Sequence, residues 1–171
     1  MSRLPTTLQS KLPPDMQAKY EKITKPESGL VGTFQALFAN PQAASGLADL
    51  HESVGKIDLE PWVTYTVALT VAHERDSETL WATFEPLARE AGVSDAVIDG
   101  IAAGTAPRGL LPKEGIWVHF ALSVVRDQMR DSTWQAAIHL VGDEGAVALA
   151  FTACYYEMMA RLNRTIGLDT A

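Results

Sequence analysis

An all-α fold is predicted by three features of this sequence. From Gly29 onward its apolar residues recur at helical spacing, and nowhere is there the sustained alternation that a strand requires. The apolar segments are separated by helix-starting and helix-stopping residues, among them Asn40-Pro41, Gly55, Pro61, Ser94 and Asp143. A chain of 171 residues, 47% hydrophobic and 8% aromatic, has the size and composition of one folded domain with a substantial core.

Residues 1–28 are polar and carry Pro5, Pro13, Pro14 and Pro26. They read as an extended N-terminal arm with one short helix around Asp15–Ile23, and residues 29–171 read as the helical domain. Phe34, Leu37 and Phe38 share a helix face, which Asn40-Pro41 ends because proline restricts the residue before it. Ala44, Leu47, Leu50 and Val54 mark the next helix, stopped by Gly55. Pro61 suits the first turn of another. The body of that helix, Trp62 to Ala72, is apolar nearly all round and belongs at the centre of a bundle or in a subunit contact.

His73-Glu74-Arg75 closes this central helix, and Asp76 or Ser77 caps its successor. Leu80, Trp81, Phe84 and Leu87 give the successor its apolar stripe; Pro86 inside it predicts a kink or break, and Gly92 a stop. Ser94 starts a short helix to Ala103, followed by a Gly- and Pro-rich connection, Gly104 to Pro112. Ile116, Trp117, Phe120 and Val124 define a helix ending near Arg126, and Asp131-Ser132 starts one bearing Trp134, Ala137, Ile138 and Val141. Asp143 caps the longest, which runs to about Arg164 and ends at Gly167. Short connections of this kind favour antiparallel helical hairpins.

Composition narrows the function classes. A net charge of −7 argues against broad electrostatic binding to nucleic acid or anionic lipid. Apolar stretches are broken by charge or too short to span a bilayer, and Met1-Ser2-Arg3-Leu4-Pro5 does not lead into a signal-peptide core, so the expectation is a cytoplasmic protein without a membrane span. The single cysteine, Cys154, excludes dithiol–disulfide chemistry within one subunit and a clustered-thiolate zinc site. Its place in the apolar run from Ala148 predicts a buried, inert thiol.

The segment "YTVALTVAHERDSETLWATFEPLA" from Tyr65 to Ala88, with "REAGVSDAVIDGI" after it, resembles the carboxymuconolactone decarboxylase / alkylhydroperoxidase D-like family. So does "GAVALAFTACYYEMMARLNRTIGL", Gly145 to Leu168, with Tyr155, Tyr156 and Asn163. The resemblance covers roughly Phe34 to Leu168. It implies an all-α, alkylhydroperoxidase D-like helical bundle in a homo-oligomer, trimer or hexamer, with pockets beside the central hairpin. It also implies a glutamate at position 65, a Cys-x-x-Cys pair at 77 and 80 and a histidine at 84. Here those positions hold Tyr65, Ser77, Leu80 and Phe84. Neither a thiolate attacker with its resolving thiol nor the usual proton donor is present.

The remaining candidates for acid–base chemistry are Tyr65, His73, Ser77 and Glu85, with Trp62, Trp81, Phe84 and Tyr155 as substrate-binding walls. Each has a plainer account. Tyr65 would be a core tyrosine with its hydroxyl tied to backbone. His73 would complement a helix C-terminus. Ser77 would cap a helix, Glu85 would be surface charge, and Tyr155, Tyr156, Met158 and Met159 would be packing. His119 and His139 read as structural, and no spacing suggests a metal cage. No phosphate-cradling loop, dinucleotide fingerprint or nucleophile elbow is present.

The leading expectation is a cofactor-independent enzyme of lyase, isomerase or hydrolase type, acting on a small apolar or aromatic carbonyl or lactone compound. A non-catalytic oligomeric binding or scaffold member of the family is the alternative. A peroxidase-like protein relying on Cys154 comes last.

Overall fold

A computed structural model describes residues 3–4, 7–25, 30–105 and 112–169. Among these residues the regular structure is helical, with no strand: α1 (Pro14–Ile23), α2 (Val31–Leu37), α3 (Pro41–Val54), α4 (Pro61–Glu74), α5 (Glu78–Glu90), α6 (Asp95–Ala102), α7 (Pro112–Val125) and α8 (Asp131–Ile166). The all-α fold class holds. The boundary expected between residues 28 and 29, and most of the Gly- and Pro-rich connection (106–111), lie outside the described residues.

The chain forms two compact units, Met1–Ile57 with Leu162–Ala171, and Asp58–Arg161. In the terminal unit, the helix expected within the N-terminal arm around Asp15–Ile23 is α1, which packs on α3. Lys19 pairs with Asp49 at 2.7 Å and Lys22 with Glu52 at 2.8 Å along that contact. Tyr20 packs edge-on against Phe38 and donates its hydroxyl to the Thr7 carbonyl. Asn163, fully buried, accepts a 2.7 Å hydrogen bond from Thr33. The buried face of α3 is Ala44, Ser45, Ala48 and Val54, whereas Leu47 and Leu50 are half-buried.

The central unit is built around α4, which packs against α5, α6 and α7. Every residue from Thr66 to Ala72 is buried, as expected for a helix with no polar face. Two threonines are tolerated there because their hydroxyls bond one turn back, Thr66 to the Trp62 carbonyl and Thr70 to the Thr66 carbonyl, each at 2.7 Å. The α4–α5 turn places Asp76 in the left-handed region (φ 48°), where aspartate is among the better tolerated residues. Its reversal is closed by the Ser77 amide bonding to the Ala72 carbonyl at 2.8 Å.

Two local expectations need correction. Helix α5 runs through Pro86 without a break. Pro86 and Ala82, whose carbonyl loses its partner, both lie on the exposed face, so the missing bond is not buried. Helix α8 is long and apolar enough, on length and composition, to cross a membrane, although a third of its apolar window is buried in the protein. Its continuity is interrupted at Gly142 (φ 73°, ψ 177°), where the sequence placed the start of a new helix at Asp143.

Candidate functional site on the α4–α5 hairpin

Around the hairpin, aromatic side chains from four helices of the central unit meet. Tyr65 on α4 stacks on Phe84 of α5, with ring centroids 6.0 Å apart and planes at 29°. Phe84 meets the edge of Tyr156 from α8 at 4.9 Å, and Tyr156 in turn meets Tyr155 at 5.2 Å. One turn before Tyr65, Trp62 packs edge-to-face against Trp117 of α7 at 6.4 Å. Phe84, Tyr155, Tyr156 and Trp117 are buried, whereas Trp62 and Tyr65 are half-buried and keep access from outside.

Several polar atoms in this region have no hydrogen-bond partner among the described residues. The Tyr65 hydroxyl makes no hydrogen bond among the described residues, so the expected backbone tie is absent. The Trp117 Nε1–H and the Thr152 hydroxyl are buried and without a hydrogen-bond partner. Thr152 lies one turn before Tyr156 on α8. Buried polar groups nearly always find partners, so unpaired donors near an aromatic wall call for an explanation. Burial, and then the nearby Tyr65, push the Tyr156 phenol above its ordinary range. Burial, and then Tyr156, do the same to Tyr155. At neutral pH these phenols are protonated donors.

At the other end of the hairpin, the charged groups are ion-paired. Arg126 makes a bidentate pair with Glu74, both bonds 2.7 Å. Arg75 pairs with Glu157 and donates to the Val125 carbonyl at 2.6 Å, while Arg161 also holds Glu157. The Arg126 hydrogen bond holds the Glu74 carboxyl below the usual carboxylate value. Burial works to raise Glu157, but its bonds to Arg161 and Arg75 outweigh it and hold this carboxyl low as well.

The sequence-selected residues are thereby separated into groups. Tyr65, Phe84 and Tyr155 belong to one aromatic cluster, to which the structure adds Tyr156. His73 faces the edge of Trp81 at 6.4 Å, and a Cβ at Gly104 would come within 3.2 Å of its Nε2. Tyr65 and His73 are eight residues apart on one helix, about 12 Å along its axis, too far to serve a single reacting bond. Ser77 is buried at the N-cap position of α5, but its hydroxyl makes no capping bond. Glu85 is held by Arg89, 3.0 Å away on the next turn of α5.

Sequence reasoning missed Trp117 as a donor because apolar residues lie on all sides of α7 and do not mark one inward face. It also missed His51 and an open groove of about 780 Å³ between α1 and α3, lined by Ile23, Ala48, His51 and four lysines. His51 packs on Phe34, and burial lowers its pKa. Cys154, expected to be buried, is exposed. Partial desolvation, then Glu157 and Asp127, push its thiol up, the opposite of nucleophilic activation. Among the described residues no three His, Cys, Asp or Glu side chains cluster to hold a metal ion.

No family model matches the chain, and no curated protein does. A solved structure does: an uncharacterised peroxidase-related protein from Ralstonia eutropha JMP134, described as an alkylhydroperoxidase AhpD core. The two superpose with a TM-score of 0.81 at 16% sequence identity, covering 99% of this chain and 92% of that one. This chain therefore has the alkylhydroperoxidase D-like helical fold.

Proposed function

We propose that the chain binds a small apolar or aromatic carbonyl or lactone compound beside the α4–α5 hairpin and acts on it without a cofactor. The observation that carries this reading is the half-buried Tyr65 hydroxyl, which has no acceptor among the described residues and sits against the Phe84–Tyr156 wall. A substrate carbonyl would supply the missing acceptor. Lyase, isomerase and hydrolase reactions of such compounds share a step in which negative charge grows on that oxygen, and a fixed donor stabilises it. The raised Tyr156 pKa suits a donor and disfavours a phenolate base. His73, about two turns away, would reach only a distal part of a longer substrate. A cytoplasmic site of action belongs to the same proposal.

The test is turnover by the purified chain across lactones, β-keto acids and enones, followed by Tyr65→Phe on whichever compound reacts. Loss of rate with the fold intact supports the reading. Full activity in Tyr65→Phe, or neither binding nor turnover across the panel, sinks it.

A second reading, a non-catalytic binding or scaffold protein, is favoured by one observation. Three of the four positions where the resembling family carries reactive groups are here occupied by the buried side chains Ser77, Leu80 and Phe84. Binding of panel compounds without any turnover would select it.

A further inference from the structure

The C-terminal part of α8 has two apolar faces, and the fold accounts for one of them. Ala146, Leu149, Ala153, Tyr156 and Met159 are buried. On the opposite side Val147 is 60% exposed and Phe151 43%, Cys154 is exposed and Met158 is half-exposed. The exposed side chains are not scattered. With Glu144 before them and Arg161 after them, they fall at steps of three, four, three, four and three residues, the spacing of a coiled-coil seam.

That spacing reads the same in both directions, and its two ends carry opposite charge. When two such seams are laid antiparallel, residue numbers that meet sum to a constant: 144 with 161, 147 with 158, 151 with 154. Val147 then packs on Met158 of the second copy, Phe151 covers Cys154, and an acid meets a base at both ends. A parallel pairing would instead set Glu144 on Glu144 and Arg161 on Arg161.

We propose that the 144–161 face of α8 is the self-association surface of this chain, paired antiparallel with the same face of a second copy across a twofold axis. Such an isologous contact yields a dimer. The occupant is a second copy because the seam is complementary to itself in both spacing and charge. A lipid surface would need no such symmetry, and the net charge of −7 disfavours anionic membranes.

The experiment is sedimentation velocity on the full chain with variants of the seam. Phe151→Asp and, independently, Val147→Asp are expected to weaken association at least tenfold; both sites are exposed, so the protomer keeps its fold. Glu144→Arg and Arg161→Glu are each expected to weaken it a few-fold, and the double variant to recover most of the loss, because the swapped pair remains complementary. Because Phe151 covers Cys154 across the seam, maleimide labelling of Cys154 should be slower in the wild type than in Phe151→Asp. A wild-type chain that stays monomeric at high concentration overturns the proposal. So does an oligomer indifferent to Phe151→Asp and Val147→Asp, or binding to phosphatidylcholine vesicles that Phe151→Asp abolishes. These results do not depend on catalysis, so failure here and failure of the carbonyl reading are separately visible.

Discussion

The two ends of the α4–α5 hairpin treat their polar groups in opposite ways. At the turn, Glu74 and Arg75 are bound by Arg126 and Glu157, and a carbonyl of α7 takes a further arginine bond. At the aromatic end, the Tyr65 hydroxyl and the Trp117 indole N–H have no hydrogen-bond partner among the described residues, and on α8 the buried Thr152 hydroxyl has none either. Ionic groups pulled partly out of water are stable only when paired, so the charged end is scaffold. Unpaired neutral donors cost less, about 1–3 kcal/mol each, and that cost is recovered when a ligand supplies an acceptor. The proposed carbonyl site rests on this difference and lies at the end that lacks charge.

The sharpest way to break this contrast is Tyr65→Phe, which removes one oxygen and keeps the ring on Phe84. On a reacting carbonyl compound the rate should fall about 10²–10⁴-fold, the usual range for loss of a positioned proton donor. The melting temperature should be nearly unchanged, because the hydroxyl holds nothing in the fold. Steady-state kinetics with thermal melts on one preparation checks both outcomes. A large stability loss without a rate effect would reverse the roles assigned to the two ends.

The converse variant tests the scaffold end. Glu157→Gln removes the charge that Arg75 and Arg161 share, at a site where the Glu157 side chain is only 18% exposed. Denaturant unfolding should show a loss of about 2 kcal/mol, the scale of a charge-assisted hydrogen bond, and activity should change little. Glu74 and Glu157 have folded-state pKa values below their ordinary 4.5. Their stabilisation is complete above that value and lost as pH falls through the depressed folded values. The acid limb of the stability curve should therefore flatten in Glu157→Gln.

How far this contrast was legible in the sequence depends on the kind of cause behind each feature. Helix boundaries were readable because their causes are local. Pro61 opens α4, Gly92 takes φ 88° after α5, and Gly142 breaks α8 where Asp143 was expected to begin a helix. Contacts between helices were not. Helix α4 is apolar all round, so its pattern carries no phase and could not say that Tyr65 would lack an acceptor. In α8 the heptad-spaced Val147, Phe151 and Cys154 look like core by composition, yet they are exposed because the opposite face is buried. Residue identity placed Tyr65 and His73 together as acid–base candidates; helix geometry separates them.

Thr152→Val sharpens the comparison at a smaller scale. The change is nearly isosteric and deletes a buried hydroxyl that bonds nothing. Stability should rise by about 1 kcal/mol, because the folded state no longer buries an unsatisfied group. A decrease in calorimetric stability would mean that the hydroxyl has a partner in the folded chain, such as a bound water. If Thr152 faces the ligand, affinity for a carbonyl compound should drop in the same variant.

The smallest expected effect carries the rule into the terminal unit, where His51 packs on Phe34 beside the α1–α3 groove. Burial lowers its pKa below the ordinary 6.5, so the unfolded chain binds its proton more readily than the folded one. Its contribution is fully present above that ordinary value and is lost as pH falls through the lower folded value. Thermal melts from neutral to mildly acid pH should thus slope downward in the wild type, and less so in His51→Gln. An identical slope in both would assign the acid sensitivity to the carboxylates alone and leave His51 a packing residue.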